Sequence, residues 1–441
     1  VEYYLAQIEK QNSTLNAFID VYNDDALKQA KQLDDKLQNG EALGKLAGLV
    51  LGVKDVICQK GKKIKAASKI LGDFESVFTA TALQRLINED AIIIGSLNCD
   101  EFAMGSSSEN SAFGAVKNAQ DTERVPGGSS GGSAVAVQAD MCLVALGSDT
   151  GGSVRQPASF CGVYGVKPTY GRVSRHGLIA YASSFDQIGT LSHNLEDAAL
   201  ITEIMAGSDD FDCTLSKQAV PKFSSELNNT DNKKFKIAYI KQALEHPSLD
   251  KTIQAAIFNK FEALKAEGHT VEAVDFPLIE YLVPAYYILT AAEASSNLGR
   301  YDGIHFGWRH PEAKTLEVRR RIMLGTFVLS SGYYDAYYTK AQKIRRKVQE
   351  STFNILKDFD VIAGPTCPST AFKLGAKKLQ DPTQMYLADI FTVQANLAGV
   401  PALSLPLFTH NEDSNMPFGL QLMGRMFDEA GMLQVGKVFE G

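Results

Sequence analysis

The sequence predicts an α/β fold, and three observations carry that expectation. Residues 46–57 (LAGLVLGVKDVI) and 91–98 (AIIIGSLN) are short, nearly unbroken apolar runs, the signature of strands buried on both faces. Stretches with apolar residues at helical spacing separate and follow them. Residues 235–275 repeat the alternation as a βαβ-like unit: FKIAYIK, a helix at 249–267, then alternation over Thr270–Asp275.

In chain order, residues 2–38 read as two helical patterns. Leu5 and Ile8 mark the first, and Ala26, Ala30, Leu33 and Leu37 the second, which ends before Gly40. They are expected to cover the main body. The 46–57 strand carries Lys54 near its end, a lysine among apolar residues that must pair or lose its proton if buried. The bland alternative is a solvated lysine at a strand terminus. Residues 76–90 fit a helix through Val77, Leu83, Leu86 and Ile87. Residues 100–126 read as a long, irregular, polar Gly/Ser-rich segment, of the kind that often lines a site. SAVAVQA predicts a helix, LVALGSDT a strand, and DQIGTL closes this region. Residues 206–234 turn polar, as a surface excursion does. The 249–267 helix presents Ile253, Ile257, Phe261 and Leu264 on one face and stops at Gly268. Residues 282–350 are helical and rich in tyrosine (286, 287, 333, 334, 337 and 338). Strands are expected at 360–366, 400–407 and 418–424.

Composition narrows the function. The 441 residues carry a net charge of −7, which argues against a general nucleic-acid or membrane surface; any RNA would be held mainly by another subunit. Six scattered cysteines without C-x-x-C spacing read as reduced thiols in a cytoplasmic protein. No run approaches the roughly 18 apolar residues of a membrane span. The start, VEYYLAQIEKQN, has no signal-peptide shape and reads as a helix entered midway, without an initiator Met. No metal-ligand cluster stands out.

The chemistry concentrates in Gly127–Gly162, where two Gly/Ser clusters, 127–133 and 151–153, bracket a short apolar middle. Glycines let successive N–H groups converge into an anion-binding concavity. A serine there can be a nucleophile whose oxyanion is already solvated by protein. With Ser153 as nucleophile, a base is needed. Of the seven histidines, only His176 and His193 lie near in sequence, and neither has a local signature. The alternative is a neutral lysine: Lys54, with Ser129 carrying the proton between it and Ser153. The N–H groups of Thr150, Gly151, Gly152 and Ser153 would form the oxyanion hole. The competing interpretation of the whole stretch is a phosphate-binding loop or tight packing.

GGSSGGS followed by GSDTGGSVRQPASFCG closely resembles the amidase signature family, and Gly52-Val53-Lys54-Asp55 is similar to that family's G-x-K-D strand. The resemblance implies Ser153 as nucleophile, Ser129 as a bridging serine joined to its neighbour by a cis peptide bond, and Lys54 as base. It implies one large α/β/α domain over 1–441, with a mixed central sheet covered by helices on both faces. Its expected parts are a helical cover (1–45), a core with the triad (46–205), a middle region (206–350) and closing strands (351–441). More narrowly, residues 163–191, 292–307, 320–345 and 391–407 resemble the glutaminase subunits of tRNA-dependent amidotransferases.

That likeness implies hydrolysis of L-glutamine to glutamate and ammonia. The ammonia passes to a large partner that handles tRNA and ATP, and a small belt-like partner joins the two. ATP and Mg²⁺ serve the amidation of Glu-tRNA(Gln) there, and no cofactor is expected in this chain. It also implies Arg321, in RRIMLGTF, as clamp for the glutamine α-carboxylate and Asp389, in MYLADIFT, as acceptor of its α-ammonium. A guanidinium suits a carboxylate through two parallel hydrogen bonds; the plain alternatives are a surface arginine and a solvated aspartate. The sequence departs from the family in three places: GWRHPEAKTLEVRR before the clamp helix is short, Asn118-Ala119-Gln120-Asp121 replaces N-P-W-D, and the start is clipped. Rival functions are a stand-alone amidase, an α/β-hydrolase (Gly127 to Gly131 fit G-x-S-x-G, but polar DTERVP precedes them) and a non-catalytic phosphate-binding protein.

Overall fold

The computed structural model describes residues 1–230, 233–303, 314–376 and 387–441. His305, His310 and the segment 307–313 of the short pre-clamp stretch lie outside the described residues. The chain opens with α1 (Glu2–Leu15) and α2 (Asn23–Gln38), as the helical spacing predicts. Between them lies a strand that the two-helix reading lacks, β1 (Phe18–Val21), paired antiparallel with residues 95–97. Four residues are too few for an alternating pattern to register. Only the neighbouring strand reveals them as the sheet edge.

The core strands are β2 (Val50–Lys54), β3 (Ile92–Leu97) and β4 (Val144–Asp149), with helices α3 (Thr81–Asn88) and α4 (Gly131–Gln138) between them. Helix α3 starts later than the 76–90 pattern predicts, and Val77, 76% exposed, lies before it on the surface. After β4 come α5 (Arg155–Cys161), β5 (Tyr164–Lys167), β6 (Gln187–Ser192) and α6 (Leu195–Met205). The polar excursion holds a single short helix among its described residues, α7 (Phe223–Glu226). The βαβ-like unit is β7 (Lys236–Ile240), α8 (Lys241–Leu244), α9 (Lys251–Ala266) and β8 (Thr270–Val274). Asp250 caps α9 by accepting the Thr252 N–H at 2.8 Å, and the four apolar residues named above are its buried face. Then follow α10 (Ile279–Asn297), α11 (Leu316–Val328), α12 (Lys340–Asp358), β9 (Val361–Pro365), α13 (Val393–Ala398), β10 (Ala402–His410), β11 (Met416–Gly424) and α14 (Glu429–Glu440).

The eleven strands of the described residues form one mixed sheet, ordered β1-β3-β2-β4-β6-β5-β10-β11-β9-β7-β8. β2 runs parallel to both β3 and β4, and β7 runs parallel to both β8 and β9, while the strands between pair antiparallel. Both faces are covered. Along β3, Ile92 and Ile94 pack with α1, α2, α4 and α5, while Ile93 packs with α3 and α6 on the other side; Ala145 and Leu146 of β4 divide the same way. This two-sided burial is why the strand runs read as continuously apolar. The parallel β3-β2-β4 group places the C-terminal end of β2, with Lys54, beside that of β4, where the second Gly/Ser cluster begins.

Candidate active site

Lys54 is fully buried, and its Nζ donates to three hydroxyls: Ser129 Oγ at 2.7 Å, Ser130 Oγ at 2.9 Å and Ser148 Oγ at 2.9 Å. Burial pushes its ammonium down to about 8, against the pull of nearby carboxylates including Asp100 and Asp149. Asp55, next in the chain, turns away: its carboxylate accepts from the N–H of Ala67 (2.8 Å) and the hydroxyl of Ser96 (3.0 Å). It braces the segment packed under the strand end and leaves Lys54 to the serines.

The Gly128–Ser129 peptide is cis. The Gly128 N–H donates to Gln156 Oε1 (3.0 Å), and the Ser130 N–H donates to the Ser153 carbonyl (3.1 Å), so the two Gly/Ser clusters are joined through backbone. Ser153 is half-buried, and its hydroxyl makes no hydrogen bond among the described residues; in particular it is not bonded to Ser129. The turn that holds it is built around Asp149. That carboxylate accepts from the N–H groups of Gly152 (2.9 Å) and Val154 (3.1 Å), from Arg155 Nε (3.1 Å) and Nη2 (3.0 Å), and from Asn396 Nδ2 (2.9 Å). Burial would raise its pKa, but the Arg155 guanidinium and Asn396 hold it down at about 2.

Of the four N–H groups expected to form an oxyanion hole, that of Gly152 donates to Asp149 at 2.9 Å. The N–H groups of Thr150, Gly151 and Ser153 have no acceptor among the described residues. The Thr150 hydroxyl is fixed to Asp186 at 2.7 Å.

Arg321 and Asp389 are both buried and meet at one tyrosine, Tyr287. Tyr287 donates to Asp389 Oδ2 (2.6 Å), and its ring lies 5.2 Å under the Arg321 guanidinium. Arg321 also bonds Glu317 (2.8 Å) and the Tyr181 hydroxyl (2.6 Å), and Ser106 donates to Asp389 at 3.0 Å. The adjacent Tyr286 packs so closely on Gly151 that a Cβ there would overlap its ring. Thr392 donates to the Gly151 carbonyl at 2.6 Å and to the Asp389 carbonyl at 3.1 Å. A cation and an anion thus stand beside the Ser153 turn. The two histidines near in sequence do not join them: His176 is stacked between Phe78 and Phe211, and His193 is exposed.

The Amidase family model matches residues 1–433. The chain belongs to the Amidase family. It is 50% identical over 448 residues to the glutamyl-tRNA(Gln) amidotransferase A subunit of Chlorobium phaeobacteroides (strain BS1), covering 98% of this chain and 93% of the relative. The crystal structure of the glutamyl-tRNA(Gln) amidotransferase A subunit from Thermotoga maritima superposes with a TM-score of 0.84 at 42% identity, covering 100% of this chain and 90% of that one. A peptide amidase from Stenotrophomonas maltophilia superposes with a TM-score of 0.83 at 26% identity, over 100% and 92% of the two chains. Membership of the Amidase family removes the α/β-hydrolase reading, and the geometry gives the reason: residues 112–128 contribute no strand, so Ser129 is not on a strand-to-helix elbow.

Within this Amidase site, sequence reasoning missed Ser130, Ser148, Asp149, Arg155, Ser106, Tyr181 and Thr392. Asp149 and Arg155 flank Ser153 inside the motif, and their opposite charges in an apolar, Gly-rich stretch were the available signal. In the sequence Tyr286 and Tyr287 stand out only as part of an aromatic-rich region. Among the described residues, no helix is long and apolar enough to cross a membrane.

Proposed function

We propose that this chain is the cytoplasmic glutamine-hydrolysing subunit of a tRNA-dependent amidotransferase, and that Lys54, Ser129 and Ser153 form its catalytic triad. The observation that carries the reading is the convergence of Arg321 and Asp389 on Tyr287 beside the Ser153 turn. A ligand with both an α-carboxylate and an α-ammonium is complementary to this cation and anion, whereas an amidase for apolar amides has no use for them. The likeness to two glutamyl-tRNA(Gln) amidotransferase A subunits supports the same substrate.

Glutamine binds with its α-carboxylate on Arg321, its α-ammonium on Asp389 and its side-chain amide over Ser153. Neutral Lys54 takes the Ser129 proton as Ser129 takes that of Ser153, and the Ser153 oxygen bonds to the amide carbon. The oxyanion lies on the N–H groups of Thr150, Gly151 and Ser153; losing one such donor typically costs roughly 3–4 kcal/mol of barrier. Lys54 returns the proton through Ser129 to the leaving nitrogen, the C–N bond breaks, and ammonia departs. Water adds to the acyl-enzyme by the same route, releasing glutamate and restoring Ser153. The ammonia serves a large partner, which uses ATP and Mg²⁺ to activate the carboxylate of Glu-tRNA(Gln); a small third component completes the assembly.

The test is ammonia release from L-glutamine and from a simple uncharged amide, with Ser153→Ala beside the wild type. Release that depends on Ser153 and prefers glutamine is expected. Faster turnover of the simple amide would indicate a stand-alone amidase, and wild-type-like release by Ser153→Ala would overturn the triad.

A further inference from the structure

Glu101 takes no part in the proton relay or the Ser153 turn, yet its carboxylate is fully buried. It opens a 3₁₀ turn, Glu101–Ala103, in which Phe102 (φ 52°) and Ala103 (φ 60°) both have left-handed backbone, a region unfavourable for side chains other than glycine. Such outliers persist where the surroundings over-determine them, and they cluster at functional sites.

The partners of the turn show what it joins. The Asp100 N–H donates to the carbonyl of Ser129 at 3.2 Å, and its carboxylate accepts from the N–H groups of Ser108 (2.9 Å) and Asn110 (3.1 Å). One residue on, Glu101 Oε2 accepts from the Thr315 N–H at 2.6 Å, while Oε1 accepts from the Ser68 hydroxyl. Thr315 is the N-cap residue of α11, the helix that carries Glu317 and Arg321. Two successive residues therefore hold the backbone of Ser129 and the N-terminus of the helix bearing Arg321, with Thr315 lying 214 positions from Glu101. A carboxylate at that end also faces the positive pole of a 13-residue helix. The Phe102 ring, turned out by its backbone, stacks on Tyr301 at 5.3 Å and fixes the turn from the other side.

We propose that Glu101 is a positioning residue for substrate selection: it sets α11 so that Arg321 stands at the distance from Ser153 that a free α-amino acid with a side-chain amide requires. This rests on reading Arg321 as the α-carboxylate clamp. A shift of α11 moves the guanidinium but leaves Lys54, Ser129 and Ser153 in place, so glutamine binding is lost before chemistry is.

The experiment compares the full-length protein in its native assembly as wild type, Glu101→Ala, Glu101→Gln, Thr315→Pro and Arg321→Met. Ammonia release gives KM and kcat for L-glutamine, and the inactivation rate with phenylmethanesulfonyl fluoride reports the Ser153 nucleophile without using the clamp. Glu101→Ala is expected to raise KM on the order of ten-fold, with kcat and the inactivation rate within about two-fold of wild type. Glu101→Gln keeps an acceptor for Thr315 and a donor toward Ser68, and stays within about three-fold of the wild-type KM. Thr315→Pro removes the N–H that Glu101 accepts, together with the Thr315 hydroxyl beside it, at a φ of −61° that the ring matches, and reproduces the KM rise even if Glu101→Ala does not fold. An unchanged KM in both Glu101→Ala and Thr315→Pro would overturn the proposal, as would a parallel loss of kcat and inactivation rate. Arg321→Met separates the two levels. If it leaves KM unchanged, the clamp itself fails; if it raises KM and the Glu101 and Thr315 variants do not, the role of Glu101 alone fails.

Discussion

Lys54 and Lys167 are both fully buried lysines with three hydrogen-bond partners, and the partners set their chemistry apart. Lys167 Nζ donates to the carbonyl oxygens of Pro168 (2.9 Å) and Val400 (2.6 Å) and to Gln187 Oε1 (3.1 Å). Burial pushes its ammonium down to about 7, but carbonyl oxygens only accept, so a neutral amine there would leave acceptors unmatched. We therefore assign Lys167 to pinning β5 and β10 as an ammonium. The partners of Lys54 are hydroxyls, which can donate in turn, so its proton can leave without stranding a polar group. With Lys54 as base, kcat for ammonia release should rise with pH and level off above about 8, as the buried ammonium gives up its proton. Lys54→Arg keeps a cation that cannot act as base and should be inactive across the range; a flat wild-type profile would contradict the assignment. A second residue-scale expectation concerns Arg155, which is buried against Asp149. Arg155→Met strands the Asp149 carboxylate and should destabilise the protein by about 3–5 kcal/mol in denaturant titration. The Asp149 contribution itself is present above the ordinary carboxylate range and fades as pH falls toward about 2.

At the scale of elements, the turn from β4 into α5 is confined by α10 above and residue 392 beside it. Gly152 has φ +130°, and a Cβ would overlap the Thr392 side chain; a Cβ on Gly151 would overlap the end of the Tyr286 ring. Thr392 is itself bonded to the Gly151 carbonyl, so it cannot yield without releasing the turn. Gly152→Ala should lower kcat on the order of 100-fold while circular dichroism stays native, because a displacement of about 1 Å is enough to misplace a nucleophile. Gly151→Ala should cost less, since a ring edge can swing aside. A Gly152→Ala enzyme at full rate would show that the turn tolerates movement.

At the scale of the whole molecule, five of the six cysteines are buried and Cys213 is exposed. A thiol reagent should label Cys213 rapidly and the other five only on unfolding, as counted by mass spectrometry of the native and denatured protein. Rapid labelling of Cys99 or Cys142 would mean that the core beside Lys54 opens under native conditions. The −7 net charge fits the division of labour proposed here, in which RNA is held by a partner.

The sequence by itself determined the α/β class and most core elements, and it singled out Lys54, Ser129 and Ser153 as candidates for the proposed triad. Those rest on local information: apolar runs long enough to reveal a period, and one contiguous Gly/Ser motif. It did not reveal β1, whose four residues become a strand only by pairing with β3. Nor did it reveal that Gly152 spends its N–H on Asp149, because the direction of an N–H depends on dihedrals that a run of glycines leaves open. The partners of Arg155 at Thr392 and Asn396 lie 237 and 241 positions away, and no local pattern couples them. Tertiary structure decided these points, as it decided that Arg321 and Asp389 share one tyrosine. Hydrogen bonds and ion pairs form between whatever the sheet order brings together, and that order pairs strands distant in the chain.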